Sequence, residues 1–202
     1  KQYFFEPSTR VPLIIKYPKK FKPNRIKNLV SLVDLLPTFL DFAIDNSFSE
    51  FATKLDGNSL YPLLTGTGSS WDNNVISEYT GEGVIAPCRM LRRDNYKYIY
   101  THGHQSMLFD LVKDPFEIEN LSGKSDFKDV EMALGEEILL DWDPNEVLEK
   151  CLQSQKERLL IQRATDGEPT WAHIVKIGDD KRYVRNASAV GTKAAARYPF
   201  VE

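Results

Sequence analysis

A short run near the start of the chain, Arg10-Val-Pro-Leu-Ile-Ile-Lys-Tyr-Pro18, constrains the fold more than any other stretch. Residues 11–17 are apolar almost throughout and bracketed by proline, the pattern of a strand buried on both faces. Such a strand needs neighbours on either side. Domain ends are normally the loosest part of a fold, yet this chain opens on Lys1, not methionine, and reaches core-like sequence at once. The expectation is a chain that starts inside a larger protein, with the earlier part absent.

Composition narrows the class. A net charge of −3 predicts no polyanion-binding surface, so nucleic acid is not expected as a partner. No apolar run approaches the ~20 residues of a membrane-spanning helix, so no membrane partner is expected. Two cysteines, Cys88 and Cys151, are too few for a disulfide framework and point to a reducing compartment, the cytoplasm.

Along the chain, residues 19–27 are basic and broken by Pro23, a surface loop. Residues 34–43 predict a helix capped by Asp34 that accepts Pro37 in its opening turn. Leu35, Leu36, Phe39, Leu40 and Ala43 share one face and predict a core contact. Residues 55–66 give a turn and a short helix stopped by Gly66. Strands follow at 75–79, 88–92, 96–100 and 108–111, with a hairpin turn at Asp94-Asn95 and a turn at Asp114-Pro115. A small antiparallel sheet is the expectation. Asp143-Pro-Asn-Glu146 opens a long helix with a capping aspartate and proline at its first position, carrying Leu148, Cys151, Leu152 and Leu159 inward. Residues 171–202 lack periodicity and are locally basic. The predicted division is 1–70, 71–170 and 171–202.

Three strings go beyond pattern. Lys1 with Glu6 and Arg10-Val-Pro-Leu-Ile-Ile, then Ser31-Leu-Val-Asp-Leu-Leu-Pro-Thr38, then Leu55-Asp-Gly-Asn-Ser-Leu60 resemble, in order and spacing, the late part of sulfatases. A second set is similar to choline-sulfatases: Ile76-Ser-Glu-Tyr79, Met90-Leu-Arg92, Tyr96-Lys-Tyr-Ile99, Leu108-Phe-Asp-Leu111, Asn120-Leu121, Ser154-Gln155 and Ala196-Arg-Tyr-Pro199. The resemblance covers essentially the whole chain. It implies an α/β fold: the end of an alkaline-phosphatase-like sulfatase domain (1–70), then a C-terminal subdomain of antiparallel sheet and long helix (71–170). The tail, 171–202, would serve oligomerisation.

The resemblance also implies chemistry. Sulfatases cleave sulfate esters with a formylglycine made from Cys or Ser in a Cys/Ser-x-Pro-x-Arg motif, and with a divalent cation, usually calcium. Both are expected in the missing N-terminal part, none held by this chain. Cys88-Arg-Met-Leu-Arg92 has the right cysteine–arginine spacing but Met90 in place of proline, so Cys88 is not read as the nucleophile. His102 and His104 flank Gly103 in a loop without clustered carboxylates, and His173 is remote, so no metal ligand is assigned.

Lys1 stands where sulfatases place a lysine that contacts the sulfate and assists the leaving group, a role suited to a compact charge on a flexible stem. Glu78 stands where choline-sulfatases resemble a carboxylate contact to the substrate head group; with aromatic neighbours it would stabilise a trimethylammonium. On a regular strand Glu78 and Ile76 face one side, Ser77 and Tyr79 the other. One feature departs from the pattern. Residues 187–197 carry no acidic side chain, where the choline-sulfatase tail brings acids to a neighbouring subunit's site.

The expected activity of the parent is hydrolysis of choline-O-sulfate to choline and sulfate, with the isolated chain inactive. The alternatives are another aryl or alkyl sulfatase, a phosphonate or phosphodiester hydrolase on the same fold, or a non-catalytic assembly module. Expected partners are a small sulfate ester, the N-terminal half of the same protein and further copies of the chain.

Overall fold

The computed structural model describes residues 3–44, 55–67, 71–81 and 84–164. Its centre is a four-stranded antiparallel sheet in the order β1-β2-β3-β4: β1 Asn74–Tyr79, β2 Cys88–Arg93, β3 Tyr96–Thr101 and β4 Met107–Asp110. Each strand pairs with its sequence neighbour, so short connections suffice. β2 and β3 are joined at Asp94-Asn95, with Arg93 opposite Tyr96 and Asp94 in the left-handed region at φ 50°. The predicted sheet and its turn are therefore present.

Alternation along the strands sends side chains to two faces, and both are covered. On one face Cys88, Met90, Ile99 and Phe109 pack with Phe4 and Leu111, with Phe5 and Tyr79 at the margin. On the other, Leu91, Tyr98 and Leu108 pack with Leu121, Leu134 and Ile138. Burying each such side chain contributes roughly 1.5–3 kcal/mol. The first cover is the N-terminal segment leading into a single turn, α1 Glu6–Thr9; the second is α4 Lys128–Leu139. The sequence pattern does not predict α4. Its signal is present in Val130, Leu134 and Ile138 at i, i+4, i+8, but Met132 and Leu140 on its exposed side blur the stripe.

α5 Pro144–Ala164 begins as expected: Asp143 Oδ1 accepts N–H donors from Asn145 and Glu146 at 2.9 and 3.4 Å. Those backbone donors hold the Asp143 carboxyl below its ordinary range. Leu148, Cys151, Leu152 and Leu159 do share a face, but that face is only half-buried.

Two expectations fail in the N-terminal third. Residues 11–17 form no strand; Val11, Leu13 and Ile14 are exposed, Ile14 at 90%. The helix α2 Leu35–Ile44 is present but turned the other way. Asp34, Thr38 and Phe42 face the rest of the chain, whereas Leu36 and Phe39 are more than half exposed and Ala43 is exposed. The described elements cover Tyr17 of the first segment, through Phe42, and leave Val11, Leu13, Ile14, Leu36 and Phe39 exposed. Polar bonds and ring contacts instead hold α2. The Asn58 N–H donates to Asp34 Oδ1 at 2.8 Å, and the Leu60 N–H donates to Thr38 Oγ1 at 2.8 Å. Phe42 meets Tyr17 and Tyr61 at centroid distances of 5.5 and 5.3 Å. The cap differs in detail: Asp34 reaches back to the Ser31 N–H at 2.7 Å across a 3-10 turn, Leu32–Asp34, before α2 starts.

Gly57 is required where it stands, because a Cβ there would lie 2.3 Å from the Val33 carbonyl oxygen. The short helix α3 Tyr61–Thr65 ends on Gly66 at φ 74°, the predicted glycine stop. The Trp71 Nε1–H donates to the Leu29 carbonyl at 2.8 Å, and the Leu29 N–H donates to Asn73 Oδ1 at 2.8 Å. These bonds join the α2 region to the first strand. No helix among the described residues is long and apolar enough to cross a membrane.

Candidate functional site

β1 places Glu78 opposite Arg89 on the sheet face that also carries Ile76, with Tyr79 on the reverse face, as strand alternation requires. Arg89 is buried. Its Nη1 donates to the Ile138 carbonyl at 2.8 Å and to Asp141 Oδ1 at 2.6 Å. Its guanidinium carbon sits 5.6 Å from the Trp142 ring centroid, a cation–π contact, and Tyr100 meets Trp142 edge-on at 5.9 Å. Glu78 Oε1 approaches Arg89 Nε at 3.2 Å, off the N–H direction, so the contact is an ion pair and not a hydrogen bond. The Glu78 side chain is 46% exposed. The carboxylate expected to meet a substrate cation thus also faces a cation of its own chain, Arg89, which in turn meets the Trp142 ring.

The other expected site residue, Lys1, lies outside the described residues, as do His173 and the tail, 171–202. What the structure shows is the segment that follows Lys1. Phe4 is buried in the sheet core and Glu6 is part-buried beneath it. Around them lies a cluster not foreseen as such, although Glu6, Arg92 and Lys97 all belong to the strings that carried the resemblance. Lys97, on β3, is 0% exposed. Its Nζ donates to the Phe4 carbonyl at 2.8 Å and lies 2.8 Å from Glu6 Oε1 and 2.7 Å from Glu117 Oε1. Glu117 Oε2 accepts the Glu6 N–H at 2.6 Å, and Arg92 Nη1 donates to Glu6 Oε1 at 3.0 Å. Two cations and two carboxylates cancel, which is what lets a lysine be buried at all. Burial works to raise the Glu6 carboxyl, but Lys97 and then Arg92 outweigh it and hold it below its ordinary range. One signal could have found the cluster: Lys97 alternates in phase with buried Ile99.

Cys88 is a core thiol. Its Sγ lies 3.1 Å from the Tyr79 carbonyl, and burial pushes its pKa up to about 11. With Met90 in place of proline, this site does not fit a formylglycine precursor. His102 Nδ1 meets the Tyr100 hydroxyl at 3.2 Å. Among the described residues no three His, Cys, Asp or Glu side chains gather where they could hold a metal ion.

Comparison with known proteins fixes the setting. Residues 1–142 match the family model described as N-sulphoglucosamine sulphohydrolase, C-terminal. A choline-sulfatase of Rhizobium meliloti is 31% identical over 212 residues, covering 98% of this chain and 39% of its own length. Arylsulfatase K of Gallus gallus is 38% identical over 137 residues, covering 61% of this chain and 24% of its own. Among solved structures, the phosphonate monoester hydrolase of Agrobacterium radiobacter aligns with 56% of this chain and 25% of its own at a TM-score of 0.48 and 23% identity. The chain therefore spans well under half the length of these relatives.

Proposed function

The chain belongs to the sulfatase family, and from that premise we propose that it is the C-terminal part of a sulfuric ester hydrolase whose substrate is choline-O-sulfate. The observation that carries the choline reading is the 31% identity to a choline-sulfatase sustained over 98% of the chain. In this reading Lys1 contacts the sulfate and stabilises charge on the departing oxygen, where an ammonium acts most strongly because water is excluded. Glu78 takes the alcohol's cationic group. The formylglycine and the divalent cation belong to the part of the enzyme that this chain does not span, so the isolated chain lacks the main electrostatic contributions and is inactive.

The exposed apolar residues of 11–17 and of α2 support packing against that remaining part. The tail, 171–202, is proposed to join copies of the chain. The unpaired Cys88 and Cys151 support a cytoplasmic location.

A second reading is favoured by a specific observation. Glu78 is already ion-paired with Arg89, and residues 187–197 carry no acid, so a sulfate ester of an uncharged alcohol would meet less competition. The two readings separate in one experiment on the full-length parent. Sulfate release is compared between choline sulfate and a simple aryl sulfate, for the native enzyme and Glu78→Gln. A strong preference for choline sulfate that Glu78→Gln abolishes is the expected result. Equal turnover of the aryl ester would retire choline and keep the sulfatase. Sulfate release by this chain alone would overturn the division of parts.

A further inference from the structure

We propose that the basic turn at residues 16–22 is a docking surface for a second copy of this chain, and that it seats on the outer, acidic side of α4. The inference uses neither the choline reading nor any residue assigned to the substrate. The net charge of −3 conceals two opposed regions. Residues 10–33 hold seven lysines and arginines and no acid, whereas residues 126–149 hold nine acids and a single lysine.

The charge of the first region is unspent. All seven cations are exposed, and the ion pairs of the described residues draw their cations from Arg89 onward. Like charges crowded together repel, which disfavours the compact state unless opposite charge is brought to them. The turn is nevertheless fixed in place. The Lys20 and Phe21 N–H groups both donate to the Tyr17 carbonyl, at 3.1 and 3.3 Å. The rings of Tyr17 and Phe21 lie 5.5 and 6.2 Å from that of Phe42 on α2. Lys16, Lys19, Lys20 and Lys22 are thus presented together on an anchored turn.

α4 supplies the complement. It turns Leu134 and Ile138 to the sheet, and Asp129, Met132, Glu136 and Leu140 follow one another at spacings of three and four along its opposite side. Met132 is 56% exposed and Leu140 82%. Glu131 is spent on Ser122 and Gly123, and Glu137 on Arg93. Asp129 and Glu136 are exposed and pair with no cation among the described residues. Apolar side chains set among free carboxylates form a patch with a greasy centre and a charged rim. Lysine suits both parts, its methylene stem covering Met132 and Leu140 while its ammonium reaches Asp129 or Glu136. Within one copy α4 packs on β2 and β3 and shares no ion pair with the turn. Both halves of the match therefore lie on one chain and meet between chains, as a contact between identical subunits requires.

The test is made in the full-length parent by sedimentation velocity over a concentration series, at low salt and at ~1 M, where the Debye length shrinks to ~3 Å. A turn variant carries Lys19→Glu, Lys20→Glu and Lys22→Glu; a face variant carries Asp129→Lys and Glu136→Lys. All five side chains are exposed, and far-UV circular dichroism checks that each variant folds. Each variant alone is expected to associate roughly 10- to 100-fold more weakly than the native protein, and high salt should weaken the native association in the same direction. An equal mixture of the two should recover it, because the native turn of one then meets the native face of the other and the reversed turn meets the reversed face. Recovery on mixing separates this contact from damaged folding and from attachment through the tail. Association that neither salt nor charge reversal alters, or a loss that mixing fails to restore, overturns the proposal. So does a parent that stays monomeric at every concentration; retention on heparin that the turn variant loses would then give the turn to a polyanion instead.

Discussion

β2 and β3 enclose Met90, Leu91, Tyr98 and Ile99 between two covering layers, whereas residues 11–17 and α2 leave Ile14, Leu36 and Phe39 largely exposed. The two regions do not differ in what their sequences want. Both carry apolar side chains at regular spacing. They differ in what lies opposite: the sheet finds Phe4 on one face and α4 on the other, while Val11, Leu13 and Ile14 and the outer part of the α2 stripe, Leu36 and Phe39, stay exposed among the described residues. Periodicity states a demand for burial, and only tertiary structure supplies it.

The comparison breaks first at the sheet, where effects should be largest. Lys97→Met removes the shared cation of a buried, balanced cluster, leaving Glu6 paired with Arg92 and Glu117 bonded to the Glu6 backbone N–H. A loss of about 3–5 kcal/mol is expected, read as a lowered urea midpoint of this chain followed by far-UV circular dichroism. A change below about 1 kcal/mol would mean that the N-terminal segment contributes little to holding the sheet.

Gly57→Ala should come next. Its Cβ would press on the Val33 backbone, which cannot swing aside like a side-chain tip, and forced shifts of that kind cost typically 1–3 kcal/mol. The same denaturation measurement applies. A neutral result would show that the α2 region is loosely held and not a defined, if incomplete, structure.

Acid provides a smaller, graded effect. Glu6 has a carboxyl held below its usual value of 4.5. Its contribution is therefore fully present above that value and is lost as pH falls through the lowered one. The urea midpoint should decline below about pH 4.5, and Glu6→Gln, less stable at neutral pH, should show a shallower decline. Parallel acid limbs for the two proteins would exclude Glu6 as the group responsible.

Much of this was legible beforehand, for reasons that individual residues make clear. The strands were readable because Cys88–Arg93 and Tyr96–Thr101 are short, adjacent and separated by a two-residue turn, so local signals sufficed. The cap of α5 was readable because Asp143 acts on its own near neighbours. α4 went unassigned because its inner stripe is diluted by Met132 and Leu140. The Lys97 cluster is the instructive case. Glu6, Arg92 and Lys97 are each letters of the resemblance, but that they meet, and that Glu117 completes their charge balance, depends on contacts across up to 111 residues. Glu78 was placed on the right strand face, yet its Arg89 partner lies on the next strand, beyond what spacing within β1 can reveal.

The smallest expected effect is the most telling about α2. Phe39→Ser removes a large aromatic side chain that is 60% exposed, from a helix held instead through Asp34, Thr38 and Phe42. In this chain the substitution should change stability by no more than about 0.5 kcal/mol, as exposed sites usually do. Phe109→Ala, in the covered sheet, should cost about 3–5 kcal/mol by the same measurement. The full-length parent sharpens the contrast. If the rest of the sulfatase packs on this stripe, Phe39→Ser there should cost several kcal/mol, because the side chain then leaves a cavity or forces a hydroxyl into an apolar contact. Hydrogen exchange of the α2 amides should fall on going from this chain to the parent and rise again with Phe39→Ser. An equally small effect in both proteins would mean that the α2 stripe is exposed in the parent as well. The demand written into Leu36 and Phe39 would then be met by another copy of the chain or not at all.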